Sequence, residues 1–249
     1  MPVTEGPGSA GRSGGSADRR GEIAARLGAV RARIAAACDA VGRGHDEVTL
    51  IAVTKTYPVS DIRLLSELGV ADIGENRDQE AARKAAEAAA LGLALTWHFV
   101  GQLQTNKSAS VVSYAQVIHS VDRLRLVSAL GSRARAAGRT VTCLVQVSLD
   151  GDPARGGAAG PQVMAVANAI AGEDALVLGG VMAVAPLEIP AAVAFGMLRD
   201  VAEEVRSVYP GAVMISAGMS DDLEQAIEAG ATHVRVGTAL LGGRRAIVR

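Results

Sequence analysis

Eight short apolar runs alternate with amphipathic helical patterns along most of the chain, and this alternation constrains the fold more than any other feature. The runs are rich in β-branched residues and have the length of buried strands. A single (β/α)8 TIM-like barrel of the α/β class, with an extra N-terminal helix, is the fold that this pattern predicts. The predicted strands cover residues 48–53, 70–73, 96–100, 117–120, 142–147, 177–183, 212–216 and 232–236. The predicted helices cover residues 22–41, 60–68, 79–90, 106–113, 123–137, 161–171, 190–208 and 221–229, with a last short helix near Thr238.

An open doubly wound sheet is the alternative fold. It should show a glycine-rich turn after the first strand, whereas here the strand leads into Lys55, Thr56, Tyr57 and Pro58. A literal G-x-G-x-x-G does occur at residues 6–11, but no strand precedes it. That stretch belongs to a segment rich in Gly, Ser and Arg. We therefore expect residues 1–20 to form a disordered tail and residues 21–249 to form one barrel domain.

Composition excludes several classes of function. The net charge is −1 and aromatic residues make up 2% of the chain, so neither a basic field nor a base-stacking platform points to nucleic acid. No apolar run is long enough to span a bilayer, and the start of the chain lacks the apolar stretch of a signal peptide. Cys38 and Cys143 are predicted to be buried, reduced thiols. We expect a cytoplasmic protein that binds neither nucleic acid nor a membrane.

The first strand is followed directly by a lysine. In parallel α/β folds the carboxyl ends of the strands form the rim of the ligand site. Partial desolvation there favours the neutral amine of Lys55, which can form a Schiff base with a carbonyl. Three of the 25 basic residues are lysine, and arginine cannot form an imine, so this position is informative. A lysine that merely reaches the surface from a strand end remains the alternative.

The turns after the last two strands have the composition of an anion site. Ser216, Gly218 and Ser220 follow the seventh strand, and Gly237 and Thr238 follow the eighth. Glycine permits close approach of a ligand, and free backbone N–H groups suit a phosphate. Ordinary helix capping explains each turn taken alone. Both turns on one rim with a strand-end lysine favour a ligand that carries a phosphate and a carbonyl.

Other polar residues near the rim give weaker signals. Asn76 suits either a ligand oxygen or a helix cap, and Glu75 suits either an acid/base role or capping. His98 is typical of a buried, hydrogen-bonded core histidine. The four histidines are scattered along the chain without the spacing of metal ligands, so no metal site is predicted.

Several motifs together resemble the YggS/PROSC family of pyridoxal 5′-phosphate (PLP) homeostasis proteins, whose fold is similar to the N-terminal barrel of alanine racemase. They occur in the family's order over most of the chain. The matching stretches are AVTKT at 52–56, GEN at 74–76, WHFVGQLQTNK at 97–107, GVMA at 180–183, GMSDD at 218–222 and RVGTA at 235–239.

The resemblance implies a role for each matching rim residue. Lys55 would carry PLP as a covalent aldimine, and Arg235 would lie near the pyridine nitrogen. A guanidinium there disfavours protonation of the ring nitrogen, so the ring is a poorer electron sink. Ser216, Gly218, Gly237 and Thr238 would hold the phosphate, and Asn76 and Met182 would line the ring.

The sequence departs from the family at four positions near the rim. Arg77 stands where the family commonly has tyrosine, and Arg155 where it often has lysine. Leu241 replaces a common phenylalanine, and Ala185 a common proline. None of these changes removes a phosphate-binding or Schiff-base group, so they bear on the mouth of the pocket.

The sequence favours a carrier over an enzyme. Two-base racemisation needs an acid/base group on each face of the substrate, and the tyrosine-bearing second domain of alanine racemase has no counterpart here. We expect a protein without catalytic residues that buffers PLP in the cell and hands it transiently to apo-enzymes, as a monomer. The alternatives are a PLP-dependent amino-acid racemase and, less well supported, a cofactor-free Schiff-base aldolase.

Overall fold

The eight strands close into one parallel barrel, as the alternation predicts. The computed structural model describes residues 14–152 and 155–243. The strands follow one another around the barrel in sequence order, and β8 closes it against β1. They are Thr49–Val53 (β1), Asp72–Glu75 (β2), Thr96–Phe99 (β3), Val117–Val121 (β4), Val141–Gln146 (β5), Leu176–Met182 (β6), Met214–Ser216 (β7) and His233–Val236 (β8).

The helices pack around the outside of this barrel. In the described part of the chain, eight helices lie at or near predicted helices, most within two residues at each end, and a further helix starts at Thr238 as expected. They are Gly14–Ala40 (α1), Val59–Glu67 (α2), Asp78–Ala90 (α3), Ser108–Tyr114 (α4), Leu124–Ala136 (α5), Pro161–Ala171 (α6), Ala191–Val208 (α7), Leu223–Glu228 (α8) and Thr238–Leu241 (α9).

The N-terminal helix begins earlier than the sequence predicts. It starts at Gly14 rather than at residue 22, so residues 14–20 are helical instead of belonging to a disordered tail. The reason is a tertiary contact, because Arg19 forms ion pairs with Glu22 and with Asp61 of α2, both at 2.7 Å. The rest of the expected tail, residues 1–13, lies outside the described residues.

The second strand is shifted by two residues from its predicted position. It covers Asp72–Glu75 rather than residues 70–73. Val70 instead lies in the turn that follows α2, where its N–H donates to the Leu65 carbonyl at 2.9 Å. The shift places Glu75 inside a strand, where the sequence suggested the start of a helix.

Two separate apolar layers hold the barrel together. The larger one lies between strands and helices, and it contains both free cysteines, Cys38 and Cys143. The smaller one lies inside the barrel and consists of Val117, Leu144 and Met182. Because side chains alternate across a strand, β4, β5 and β6 contribute to both layers. Within the described ranges, no helix is long and apolar enough to cross a membrane.

Gly180 of β6 offers a test of this packing. Its φ is +143°, and an added Cβ would lie 2.0 Å from the Met214 carbonyl oxygen on the neighbouring strand. We expect Gly180→Ala to lower the free energy of unfolding by about 2–4 kcal/mol, because the backbones of β6 and β7 must move apart to admit the methyl group. Denaturant unfolding followed by circular dichroism measures this.

The matched control is Gly196→Ala, in the middle of α7, where an added Cβ meets nothing within 4 Å. We expect it to raise the stability by roughly 0.5–1 kcal/mol, because alanine is the better helix former. Equal effects of the two substitutions would contradict the packing described for β6 and β7.

Candidate functional site

Lys55 lies in a tight turn at the carboxyl end of β1, and its side chain is exposed. The turn is closed by a hydrogen bond of 3.0 Å from the Tyr57 N–H to the Thr54 carbonyl. Thr56 has a φ of +71°, which is the left-handed region that non-glycine residues rarely occupy. Its N–H donates to Glu80 Oε1 at 2.6 Å, and this bond holds the unfavourable conformation in place. The structure therefore presents Lys55 on a constrained turn.

A second lysine lies buried beneath this turn. Lys84 of α3 is 1% exposed, and its ammonium donates to three oxygens. These are the Thr54 carbonyl at 2.7 Å, Glu75 Oε1 at 2.6 Å and Glu80 Oε1 at 2.6 Å. All three N–H bonds of the ammonium are thus used. No local pattern in the sequence indicates this role, because Lys84 is an ordinary charged residue on an alanine-rich helix.

Glu75 is a partner of Lys84 and not a helix cap. It is fully buried, and the Thr54 hydroxyl donates to its Oε1 at 2.6 Å. Burial raises the pKa of Glu75, and the neighbouring Lys84 ammonium limits that rise. Burial also acts to raise the pKa of Glu80, but hydrogen bonds from Lys84 and from the Thr56 N–H lower it overall. These four residues, Thr54, Glu75, Glu80 and Lys84, are called the Lys84 cluster below.

The two turns predicted to bind an anion are joined to each other. Ser220 accepts a hydrogen bond of 3.2 Å from the Ala239 N–H at the start of α9. Gly218 has a φ of +86°, and an added Cβ would lie 2.6 Å from the Ala226 Cβ, so glycine is required there. Gly237 packs against Val53, two residues before Lys55. Both turns therefore lie on the same rim as Lys55, and Ser220 joins the candidate site.

Arg235 lies inside the barrel, below this rim. It is 5% exposed, and its guanidinium donates to Ser216 Oγ at 2.6 Å and to the Ala183 carbonyl at 2.9 Å. Burial lowers its pKa to about 10, so it stays charged at neutral pH. Ser216 itself is fully buried at the end of β7. The structure thus brings Ser216 and Arg235 into direct contact, as a pair at the floor of the site.

The remaining predicted residues surround this floor. Met182 is buried inside the barrel against Val117 and Leu144, and Thr238 is exposed at the start of α9. Asn76 directly follows β2, and its backbone packs so closely on Gly101 that a Cβ there would lie 2.2 Å from the Asn76 carbonyl oxygen. The Asn76 Oδ1 atom is buried without a hydrogen-bond partner. A buried oxygen in this state is a site for a ligand donor.

Three of the four histidines meet inside the barrel, although the sequence separates them widely. The ring centroid of His98 lies 5.2 Å from that of His119 and 6.4 Å from that of His233. The alternation of side chains along each strand is the sequence signal for this grouping. Residues on one side of a strand face the barrel axis, and residues on the other side face the helices. Within residues 14–152 and 155–243, no group of His, Cys, Asp and Glu residues has the arrangement of a metal site. His45 lies apart from the other three, on the surface.

The residues present fit a PLP molecule. The exposed Lys55 amine is available for an aldehyde, and the orphan oxygen of Asn76 is available for a ring substituent. At the start of α9 the Thr238 N–H is available to a phosphate, because the next three N–H groups already donate to Ser220 Oγ and the Gly237 carbonyl. Arg235 is charged and buried close to Ser216. The chemistry of these residues is therefore compatible with PLP.

Comparison with known proteins identifies related chains. The family model described as alanine racemase, N-terminal domain, matches residues 26–245. A protein named "Pyridoxal phosphate homeostasis protein" from Mycobacterium bovis is 43% identical over 227 residues, which cover 84% of this chain and 88% of that protein.

Solved structures agree with this relationship. PipY of Synechococcus elongatus, solved with PLP bound, is 35% identical, with a TM-score of 0.77 over 88% of this chain and 100% of that chain. Alanine racemase from Corynebacterium glutamicum is 13% identical, with a TM-score of 0.65 over 92% of this chain and 62% of that chain. The racemase likeness shows a shared fold alone.

The Lys84 cluster generates a test of stability. Lys84→Met removes the cation that is paired with the buried Glu75 and leaves an uncompensated carboxylate. We expect the free energy of unfolding to fall by about 3–5 kcal/mol, measured by denaturant unfolding. The control is Lys107→Met, whose side chain is 37% exposed and 4.0 Å from Asp78. It should change the stability by less than about 1 kcal/mol.

The double variant Glu75→Leu/Lys84→Met distinguishes loss of pairing from loss of packing. It should recover part of the stability, since the unpaired carboxylate of Glu75 is gone. A double variant less stable than Lys84→Met would show that the charge of Glu75 is not the source of the loss.

Proposed function

This chain belongs to the alanine racemase N-terminal domain family, among the pyridoxal phosphate homeostasis proteins, and on that premise we propose that it binds PLP and buffers it inside the cell. The observation that carries the proposal is that Lys55 and the two turns joined by the Ser220–Ala239 hydrogen bond share one rim, with the buried Arg235 beneath it. PLP supplies an aldehyde that a lysine amine can capture with loss of water.

Lys55 is the residue that we propose for covalent attachment of the cofactor. Its amine lies at the mouth of the barrel, on a turn held by the Lys84 cluster. Lys84 is unsuited to this role, because its ammonium is buried and its three N–H bonds are already used. Lys84 therefore positions the turn, whereas Lys55 remains free to react.

The opposite end of the cofactor would lie on the joined turns. Gly218 and Gly237 allow the backbone to approach closely, and Thr238 presents an exposed hydroxyl beside them. Ser216 and Arg235 would form the floor, with Arg235 toward the pyridine nitrogen. Two positive charges in contact are unfavourable, so Arg235 would keep that nitrogen unprotonated. Asn76 and Met182 would complete the walls.

The carrier is favoured over the racemase because no tyrosine is placed to serve as a second acid/base. In the described part of the chain the Tyr57 hydroxyl donates to the Gly242 carbonyl at 2.6 Å. The Tyr209 hydroxyl donates to Asn168 at 2.8 Å, and Tyr114 is buried against the helices. Racemisation through a planar carbanion needs proton donors on both faces.

The exposed position of Lys55 also suits exchange of the cofactor with other proteins. We propose a cytoplasmic monomer that passes PLP transiently to apo-enzymes. An amine that is open to solvent can be reached by a second amine, which is what transfer between proteins requires.

Absorption spectroscopy tests the attachment. The full chain is incubated with PLP and desalted, and its visible spectrum is recorded before and after borohydride. We expect a band that borohydride abolishes, and we expect Lys55→Ala to lack it. Lys107→Ala is the control and should keep the band. A colourless wild-type protein that also fails to retain PLP would overturn the cofactor assignment, and a band that survives in Lys55→Ala would overturn the choice of lysine.

A racemisation assay separates carrier from enzyme. The PLP-loaded protein is incubated with L-alanine, and formation of D-alanine is followed over time. We expect no turnover above that of Lys55→Ala, because no tyrosine in the described part of the chain is placed to act as the second acid/base. Steady turnover that disappears in Lys55→Ala would instead establish the racemase.

A further inference from the structure

A continuous line of hydrogen bonds crosses the inside of the barrel, from the floor of the candidate site to the opposite mouth. Arg235 Nη1 lies 2.6 Å from Ser216 Oγ, which lies 2.9 Å from His119 Nδ1. His119 Nε2 lies 2.9 Å from His98 Nδ1, and His98 Nε2 lies 3.0 Å from Asp72 Oδ1. These five side chains are called the barrel chain below.

The chemistry of its end groups sets the direction of the barrel chain. A guanidinium only donates, so Ser216 accepts from Arg235, and its single hydrogen is available for His119 Nδ1. His119 then carries its hydrogen on Nε2 and donates to His98 Nδ1. His98 in turn carries its hydrogen on Nε2 and donates to the Asp72 carboxylate. Every bond is satisfied, with both histidines neutral and opposite charges at the two ends.

The barrel chain has a second arrangement, which differs by one proton. If the Ser216 hydrogen turns toward an anionic ligand oxygen, His119 must donate to Ser216 through Nδ1. His119 Nε2 then accepts from His98 Nδ1. His98 still faces the Asp72 carboxylate through Nε2, so one additional proton must reside on the His98 and Asp72 pair. The hydroxyl of Ser216 is therefore free for a ligand only when that proton is present.

The two ends of the barrel chain differ in their access to water. Ser216, His98 and His119 are at most 2% exposed and Arg235 is 5% exposed, whereas the Asp72 side chain is 29% exposed. Asp72 lines an open depression of about 680 Å³ beside α1 and the starts of β1 and β2. Protons therefore reach the chain from the mouth opposite to the candidate site.

The neighbouring titratable groups do not supply this proton. His233 faces His98 from β8, donates to or accepts from Thr232 Oγ1 at 2.8 Å, and stays neutral because burial lowers its pKa to about 4. Burial also lowers the pKa of His119 well below its usual value. Arg31, His45 and Asp46 line the depression beside Asp72. Among the described residues, Arg235 forms no direct ion pair; the Asp222 carboxylate attracts it through space, and Asp72 is connected to it through the barrel chain.

We propose that Asp72, His98 and His119 are positioning residues for Ser216 and Arg235, and that binding of the PLP phosphate to Ser216 takes up one proton at the His98 and Asp72 pair. The inference rests on the proposed function. It makes retention of the cofactor sensitive to the proton concentration at a mouth that the cofactor does not touch.

Asp72→Asn is the decisive variant, because an amide can donate or accept and so satisfies both arrangements without an added proton. Binding of PLP to the full chain is measured by calorimetry in buffers of different ionisation enthalpy. We expect the wild type to take up about one proton more than Asp72→Asn. The ratio of the two dissociation constants should then change by up to about tenfold per pH unit. Asp46→Asn, in the same depression, should match the wild type.

A second measurement uses only the wild-type protein. Nitrogen NMR of protein labelled with 15N-histidine reports which ring nitrogens carry hydrogen. We expect hydrogen on Nε2 of His98 and His119 before loading. After loading with PLP, His119 should carry it on Nδ1, and His98 should have gained a shared or full proton.

The outcomes separate the two proposals. Equal proton numbers in the wild type and Asp72→Asn, or histidine tautomers unchanged by loading, would overturn the barrel chain while leaving the cofactor site intact. Absence of PLP binding by the wild type would overturn the proposed function itself.

Discussion

The position of the candidate site depends on one buried ammonium group. Lys84 joins α3 to the end of β1 through the Thr54 carbonyl, and to the end of β2 through Glu75. A charge this deeply buried is unfavourable unless its partners are close and complete, and here all three N–H bonds have acceptors. The turn that presents Lys55 is consequently held from below, and its left-handed Thr56 is held from the side by Glu80.

The interior of the barrel is polar where a purely structural barrel would be apolar. Apolar residues of β4, β5 and β6 share the interior with histidines, Ser216 and Arg235. Burying these groups costs free energy that is recovered only when their hydrogen bonds are complete. The barrel chain completes them between a cation and a carboxylate at opposite mouths. Such an arrangement makes ligand binding depend on a protonation event at a distance from the ligand.

The reactive amine and the support for its turn come from two different lysines. Lys55 is exposed and free to react, and Lys84 is buried and fully bonded. Arginine could not serve as the amine at Lys55, and its planar five-donor head would not match the three oxygens that meet at Lys84.

The sequence by itself determined the elements and their order, because strand and helix periodicities reflect local burial of apolar faces. It placed Lys55 at a strand end and identified the two turns after β7 and β8, since those signals lie within a few neighbouring residues. Only the tertiary structure decided the early start of α1, the pairing of Glu75 with Lys84 and the contact of Ser220 with Ala239. It also decided the grouping of the histidines, as in the bond between His119 and Ser216, which are 97 residues apart. Such polar contacts depend on strand register and barrel closure, which no local pattern encodes.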